Sequence, residues 1–405
     1  MSDRFPAWPH ALPAALLLMA PFDILASLAM DIYLPVVPAM PGILATSPTV
    51  IQLTLSLYML LLGAGQLLFG PLADRWGRRP VLLAGAVLFV LASFGLAGSN
   101  SAPVFLAWRL LQALGASATL VATFATVRGV YAGRPQGTTI YALFSATLAC
   151  VPALGPILGA VLSDRWGWRA VFVVLGLAAL PALANAWRGW QETRPPLDAD
   201  VAPLRFGGVL RSVTFWTYTL GFSAAMGTFF VFFSTAPRVL IGQGGLTTLA
   251  FSLAFATVAL VMMATTRWVA RAVARWGSAG CLARGMFTLL ASAILLAVGQ
   301  WVMPATWVGF ILPMWFAAVG IVLTVAVTAN GALQRFGDMA GMAVALYFCV
   351  QSVLVAVLGT LAVVLLDGDT AWPLVGYAVL MATTVLVALA RLRGVTRPAA
   401  DAPAG

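Results

Sequence analysis

A run of about 20 apolar residues recurs twelve times along this chain, and nothing else in the sequence restricts the fold so strongly. Twenty residues of α-helix rise about 30 Å, the thickness of a bilayer's hydrocarbon core. The first six runs cover 12–39, 49–70, 80–98, 103–127, 138–162 and 169–190. The second six cover 213–236, 248–268, 279–300, 305–328, 340–364 and 371–391. With 62% hydrophobic and only 8% charged residues, the chain lacks the charged surface a water-facing shell needs. The expected class is an all-α integral membrane protein with 12 transmembrane helices. The first run is too long for a signal peptide and is followed by many more, so it reads as an uncleaved first helix.

The connections are short except for Gln191 to Arg211, which is polar and rich in Pro and Gly. It predicts an N-terminal six-helix bundle over 1–190, a cytoplasmic linker over 191–212, and a C-terminal bundle with a short tail over 213–405. Arginine placement tests the count, because Lys and Arg gather on the cytoplasmic side. All 22 basic residues are arginine. With the N-terminus inside, the outer side keeps only Arg165, Arg169 and Arg238, Arg109 falls within the fourth span, and the other eighteen are cytoplasmic. Both termini are therefore expected in the cytoplasm. The second half echoes the first: Phe69 to Pro80, FGPLADRWGRRP, follows the second span, and Arg267 to Cys281, RWVARAVARWGSAGC, follows the eighth. Two six-helix halves joined by a linker and related by a loose repeat resemble the arrangement of major facilitator transporters.

Several function classes fall away. The net charge of +10 would point to nucleic acid in a soluble domain, but here it belongs to the cytoplasmic loops. Cys150, Cys281 and Cys349 have no paired spacing and read as small buried hydrophobes. His10 is the sole histidine and Glu192 the sole glutamate. That leaves no ligand set for a metal, no basis for a cofactor, and no catalytic constellation for a membrane-embedded enzyme.

The chemistry that remains is intramembrane charge. The first span carries Asp23 and Asp31, and a carboxylate at mid-bilayer costs about 2.5–3.5 kcal/mol on insertion scales. Eight residues apart, they lie about 80° apart around the helix and about 12 Å apart along it, so both can line one cavity at two depths. The alternative, stronger for either acid alone than for the pair, is a packing acid satisfied by a neighbouring arginine or backbone group. Arg109 needs an acid or several carbonyls. It sits about 9 Å inside the outer face and Asp31 about 12 Å, so the two are expected level, with Asp23 deeper. A static buried ion pair and a proton site responsive to opening and closing both fit that placement.

Two motifs complete the inventory. Gly70, Asp74, Arg75, Gly77, Arg78 and Arg79 match the major facilitator loop signature G-x-x-x-D-R-x-G-R-R. Glycines at 70 and 77 allow a tight turn, and Asp74 can pair with arginines or cap the next helix. The loop reads as a topology determinant or as a latch between helices that separate during transport. Pro152, Gly155, Pro156 and Gly159 match the G-P-x-x-G kink of antiporters in that superfamily, departing at Ala160, where the longer form has a second glycine. Candidate substrate contacts are Asp23, Asp31, Tyr33, Gln52, Tyr58, Arg109, Phe229, Phe233, Asn330, Tyr347 and Gln351. An apolar pocket with a few directed polar groups suits an amphiphilic, largely uncharged solute.

The runs PFDILASLAMDIYLPVVPAMPGIL, IQLTLSLYM, LLQALGASATLVATFATVR, GTFFVFFSTAPRVLIGQ and VTANGAL are similar to the florfenicol/chloramphenicol exporters of bacterial resistance elements. Those are drug:proton antiporters of the major facilitator superfamily. The resemblance extends from Trp8 to Arg393 and implies a monomer in the bacterial inner membrane that exports phenicols against inward proton flow. Its partners are then the drug, protons and the lipid bilayer. Related proton-coupled exporters carry two helix-one acids and a helix-four arginine, matched here by Asp23, Asp31 and Arg109. Gly129 departs from the aspartate usual in relatives, which puts a cytoplasmic latch in doubt. The runner-up within transporters is a broader-specificity multidrug:proton antiporter, ahead of a sugar:proton symporter. A channel would need no titratable intramembrane groups.

Overall fold

The computed structural model describes residues 10–131, 135–194, 206–334, 336 and 340–396. The N-terminal tail, most of the linker and the C-terminal tail lie outside the described residues. Those described form helices and connections, with no strand among them. The long helices are α1 Leu12–Asp31, α2 Pro48–Trp76, α3 Arg78–Ala97, α4 Ala102–Val130, α5 Pro135–Trp166, α6 Trp168–Gly189 and α7 Val213–Pro237. A continuous stretch, Thr248–Val302, follows. It breaks at Gly277 (φ 66°, ψ 176°), giving α8 over 248–276 and α9 over 278–302. Then come α10 Trp307–Leu333, α11 Ala340–Leu365 and α12 Trp372–Thr396. These correspond to the twelve expected spans, and ten stretches among the described residues are long and apolar enough to cross a membrane when Thr248–Val302 is taken as one.

Two boundaries differ from expectation for identifiable reasons. The first span is not one α-helix to Ala39. It leaves α geometry at Asp31 and continues as a 3₁₀ segment, Leu34–Ala39, because Pro35 and Pro38 donate no backbone N–H. Gly70 is not a turn residue either. Helix α2 runs through Pro71 to Trp76, and Gly77 alone, at φ 107°, reverses the chain. A left-handed φ of this kind strains any side chain, which fixes glycine there and at Gly277.

The chain divides into two compact units, residues 1–202 with 236–260, and residues 203–235 with 261–405. In the first, a Cβ on Gly85 would lie 2.9 Å from the Gly115 carbonyl, and one on Gly115 would lie 2.7 Å from the Gly85 carbonyl. Helices α3 and α4 thus touch backbone to backbone, the close approach that small residues permit in membranes. The second unit repeats the device. A Cβ on Gly285 of α9 would lie 2.9 Å from the Gly320 carbonyl of α10, and the reverse distance is 2.8 Å. Gly77 and Gly277, at matching places in the echo read from the ARWG core, are both at positive φ.

The outward faces are apolar. Leu17, Ile294, Phe287 and Leu380 are exposed, as lipid-facing side chains are. Trp76, Trp166, Trp301 and Trp307 are exposed at helix ends, where indole rings settle at the membrane interface. Buried hydroxyls return to carbonyls of their own helix, as Ser93 does to Phe89 and Thr228 to Ala224.

Candidate functional site

Helix α1 turns both of its carboxylates inward. Asp23 and Asp31 are each 6% exposed, and the Oδ2 of Asp23 has no hydrogen-bond partner. Helix α5 lies across the end of α1 because its motif glycines allow it. A Cβ on Gly155 would lie 2.7 Å from the Cβ of Asp31, and one on Gly159 would strike the Ile32 carbonyl. Pro152 and Pro156 sit inside α5 without ending it. Gly155 and Gly159 therefore serve close packing against the Asp31 turn.

Arg109 of α4 is fully buried, and its partners differ from the expected acid. Its Nη1 donates to the Ala29 carbonyl at 3.0 Å and to Gln112 Oε1 at 2.7 Å. The guanidinium carbon lies 4.3 Å from the Tyr58 ring centre and 5.2 Å from that of Tyr33. Among the described residues no carboxylate pairs with it, and its Nε and Nη2 have no hydrogen-bond partner. The reason lies in the early end of α1. Ala29 belongs to the last helical turn, whose carbonyls lack intrahelical partners and form the negative end of the helix dipole. A cation is attracted there, and the faces of two tyrosines add cation–π attraction. The expectation that Asp31 and Arg109 are level does not become an ion pair.

Gln112 and Ser93 were not singled out from the sequence. Gln112 Nε2 donates to Ser93 Oγ at 2.9 Å, and Ser93 donates onward to the Phe89 carbonyl at 2.7 Å. The available signal was spacing, because Gln112 follows Arg109 by three residues on one helix face. Tyr58 donates to the Ala26 carbonyl at 2.8 Å and feels the charge of Asp31. The Tyr33 ring packs between Phe105 and Phe172, at 5.8 and 5.6 Å. Gln52 is buried in α2, with Nε2 3.4 Å from Ser56 Oγ. The structure thus brings Asp31, Tyr33, Tyr58 and Arg109 into one neighbourhood. A small apolar recess beside α1, lined by Phe22, Leu25, Ala26, Phe89 and Thr119, has room for about one water molecule and none for a drug-sized ligand.

At the other end of the unit, the signature loop is closed by a residue the motif does not contain. Glu192 accepts from the backbone N–H of Arg78 at 2.8 Å and of Arg79 at 3.2 Å, so it, rather than Asp74, caps α3. It also accepts from the N–H groups of Thr193 and Arg194, at 3.0 and 2.9 Å. Arg78 donates to the Thr193 carbonyl, Arg79 to that of Trp187, and Arg194 to that of Arg75, at 3.0, 2.8 and 2.7 Å. Asp74 acts on Arg78 through its charge. The departure at Gly129 has a geometric meaning, since any Cβ there would strike Arg78 Nη1.

In the second unit, Tyr347 stacks on Phe222 with ring centres 4.9 Å apart and donates to Thr328 Oγ1 at 3.0 Å. Gln351 is buried, with its Nε2 unpartnered. Phe229 meets Phe232 at 6.3 Å, and Phe233 is buried. Asn330 is exposed and stands apart from that buried set.

Comparison with known proteins agrees with this architecture. The family model described as Major Facilitator Superfamily matches residues 22–360. A chloramphenicol resistance protein of Pseudomonas aeruginosa is 51% identical over 391 residues, covering 95% of this chain and 92% of that protein. A bicyclomycin resistance protein homolog of Haemophilus influenzae is 26% identical over 364 residues, covering 87% and 89%. The crystal structure of a D-xylose–proton symporter superposes with a TM-score of 0.74 at 15% identity, over 93% of this chain and 97% of that one.

Proposed function

The chain belongs to the major facilitator superfamily, and from that premise we propose that it exports phenicol antibiotics such as chloramphenicol and florfenicol in exchange for protons, conferring resistance. What carries the reading is the 51% identity to a chloramphenicol resistance protein over 95% of the chain. The buried acids of α1 favour proton coupling over passive leak, because a facilitator gains nothing from carboxylates that cost several kcal/mol to bury.

In the proposed cycle an ionised α1 aspartate accepts a hydrogen bond from the drug's hydroxyl or amide, and a charged acceptor makes that bond roughly twice as strong as a neutral one. Protonation from outside weakens it and favours release. Arg109 does not neutralise Asp31 by direct pairing, so the carboxylate is left for the proton and the drug. Its Nε and Nη2, unpartnered while buried, would meet an acceptor on the substrate once the site opens. Exchange of a neutral drug for a proton moves net charge, so the membrane potential contributes about 2.3 kcal/mol per charge per 100 mV.

The same reading places the protein in the bacterial inner membrane with both termini cytoplasmic, working as a monomer. The more distant bicyclomycin relative favours a broader drug range as the second reading. Drug accumulation in intact cells, with and without a protonophore, tests the proposal. Collapse of the proton gradient is expected to raise accumulation in expressing cells to the level of cells lacking the protein. Asp23→Asn and Asp31→Asn are expected to impair resistance at matched membrane levels, and Arg109→Ala more severely. Unchanged resistance in both aspartate variants would remove the proton role.

A further inference from the structure

The two positive-φ glycine turns of the repeat treat their arginines differently. Around Gly77, Arg78, Arg79 and Arg194 all donate to protein carbonyls, and Glu192 supplies the counter-charge. Around Gly277 there is no such closure. Arg267, Arg271, Arg275 and Arg284 are all exposed, and the chain holds no acidic residue between Asp200 and Asp338. Among the described residues none of the four meets a carboxylate. The single hydrogen bond seen for the set runs from Arg284 Nη1 to the Gly280 carbonyl of its own helix, at 3.2 Å.

Arg267, Arg271 and Arg275 follow at i, i+4 and i+8 along α8, which stacks three like charges on one face, an arrangement that destabilises a helix unless a counter-ion is supplied. The surroundings indicate its chemistry. The Arg271 guanidinium lies 5.2 Å from the Trp268 ring centre, and that of Arg284 lies 4.4 Å from the Trp276 ring centre. Trp268 is 62% exposed, and Phe287, one turn beyond Arg284, is 60% exposed. Indole rings mark the headgroup level, and an exposed Phe offers acyl-chain contact. Arginine forks match phosphate oxygens bidentately.

We propose that the Gly277 turn is a binding site for the phosphate of an anionic phospholipid, whose charge takes the place that Glu192 fills at the Gly77 turn. Assignment to the cytoplasmic leaflet rests on the orientation proposed above; binding itself does not depend on that orientation or on transport, so the two readings fail separately. The test is native mass spectrometry of the full-length chain in detergent, offered phosphatidylglycerol or phosphatidylcholine with the same acyl chains. Phosphatidylglycerol is expected to be retained preferentially. Each arginine near an anionic headgroup is worth about fivefold in affinity, so R271Q/R275Q/R284Q is expected to lower retention about a hundredfold. R271K/R275K/R284K, which keeps the charge, is expected to retain most of it. Undiminished phosphatidylglycerol retention in the glutamine variant overturns the site. An equal loss in R165Q/R188Q/R211Q, which removes three exposed arginines elsewhere, also overturns it, because net charge alone would then decide.

Discussion

Gly155→Ala adds one methyl group at the place where α5 crosses the Asp31 turn of α1. That carbon would stand 2.7 Å from the Asp31 Cβ and 3.3 Å from the Leu28 Cδ1. Non-bonded carbons rest about 3.5–4.0 Å apart, so the two helices must part by about 1 Å. No rotamer change relieves the closer contact, because the Cβ of Asp31 is fixed to its backbone. Overpacking of this kind costs about 1–3 kcal/mol, a factor of about 5 to 150 in an equilibrium constant. Because the displacement centres on Asp31, resistance is expected to fall further than stability alone dictates. Gly70→Ala is the internal control. Gly70 lies inside α2 with nothing within 4 Å of its added Cβ, and alanine is favoured over glycine in a helix by about 0.5–1 kcal/mol. The assay is thermal unfolding in detergent beside chloramphenicol resistance at matched membrane levels. Gly155→Ala is expected to lower Tm and resistance, while Gly70→Ala leaves Tm unchanged or raised. A Gly155→Ala protein with wild-type Tm and resistance would refute the packing argument.

Gln112→Leu removes the acceptor that takes Arg109 Nη1 and the donor to Ser93. A hydrogen bond to a charged group contributes about 1.5–3 kcal/mol, so Tm and resistance are both expected to drop, with Gln112→Glu, which keeps an acceptor, recovering part of each. Glu192→Ala strips the cap from α3 and is expected to cost about 1–2 kcal/mol of stability, read as a lowered Tm, while Glu192→Gln loses less because its carbonyl still accepts.

What the sequence made legible depends on whether a property is periodic or directional. Twelve helices and the Gly77/Gly277 echo follow from spacing along the chain, and spacing survives folding. Arg109 shows the other case. Rise per residue placed it level with Asp31, but level says nothing about azimuth, and two prolines after Asp31 ended the α-helix early. That ending exposed the Ala29 carbonyl, a partner no side-chain inventory would contain. Gly70 failed for the opposite reason. Its place in a loop signature implied a turn, yet apolar residues carry α2 past it to Trp76, so the signature spans a helix end and one reversing residue. Glu192 lies 114 residues from the Arg78 it caps, and distance in sequence hid it. Its being the sole glutamate was nevertheless a usable clue. In a chain that keeps acids to a minimum, each one outside the tails merits a search for the cations or N–H groups it answers, and at the Gly277 turn, where no acid answers, the search has to leave the polypeptide.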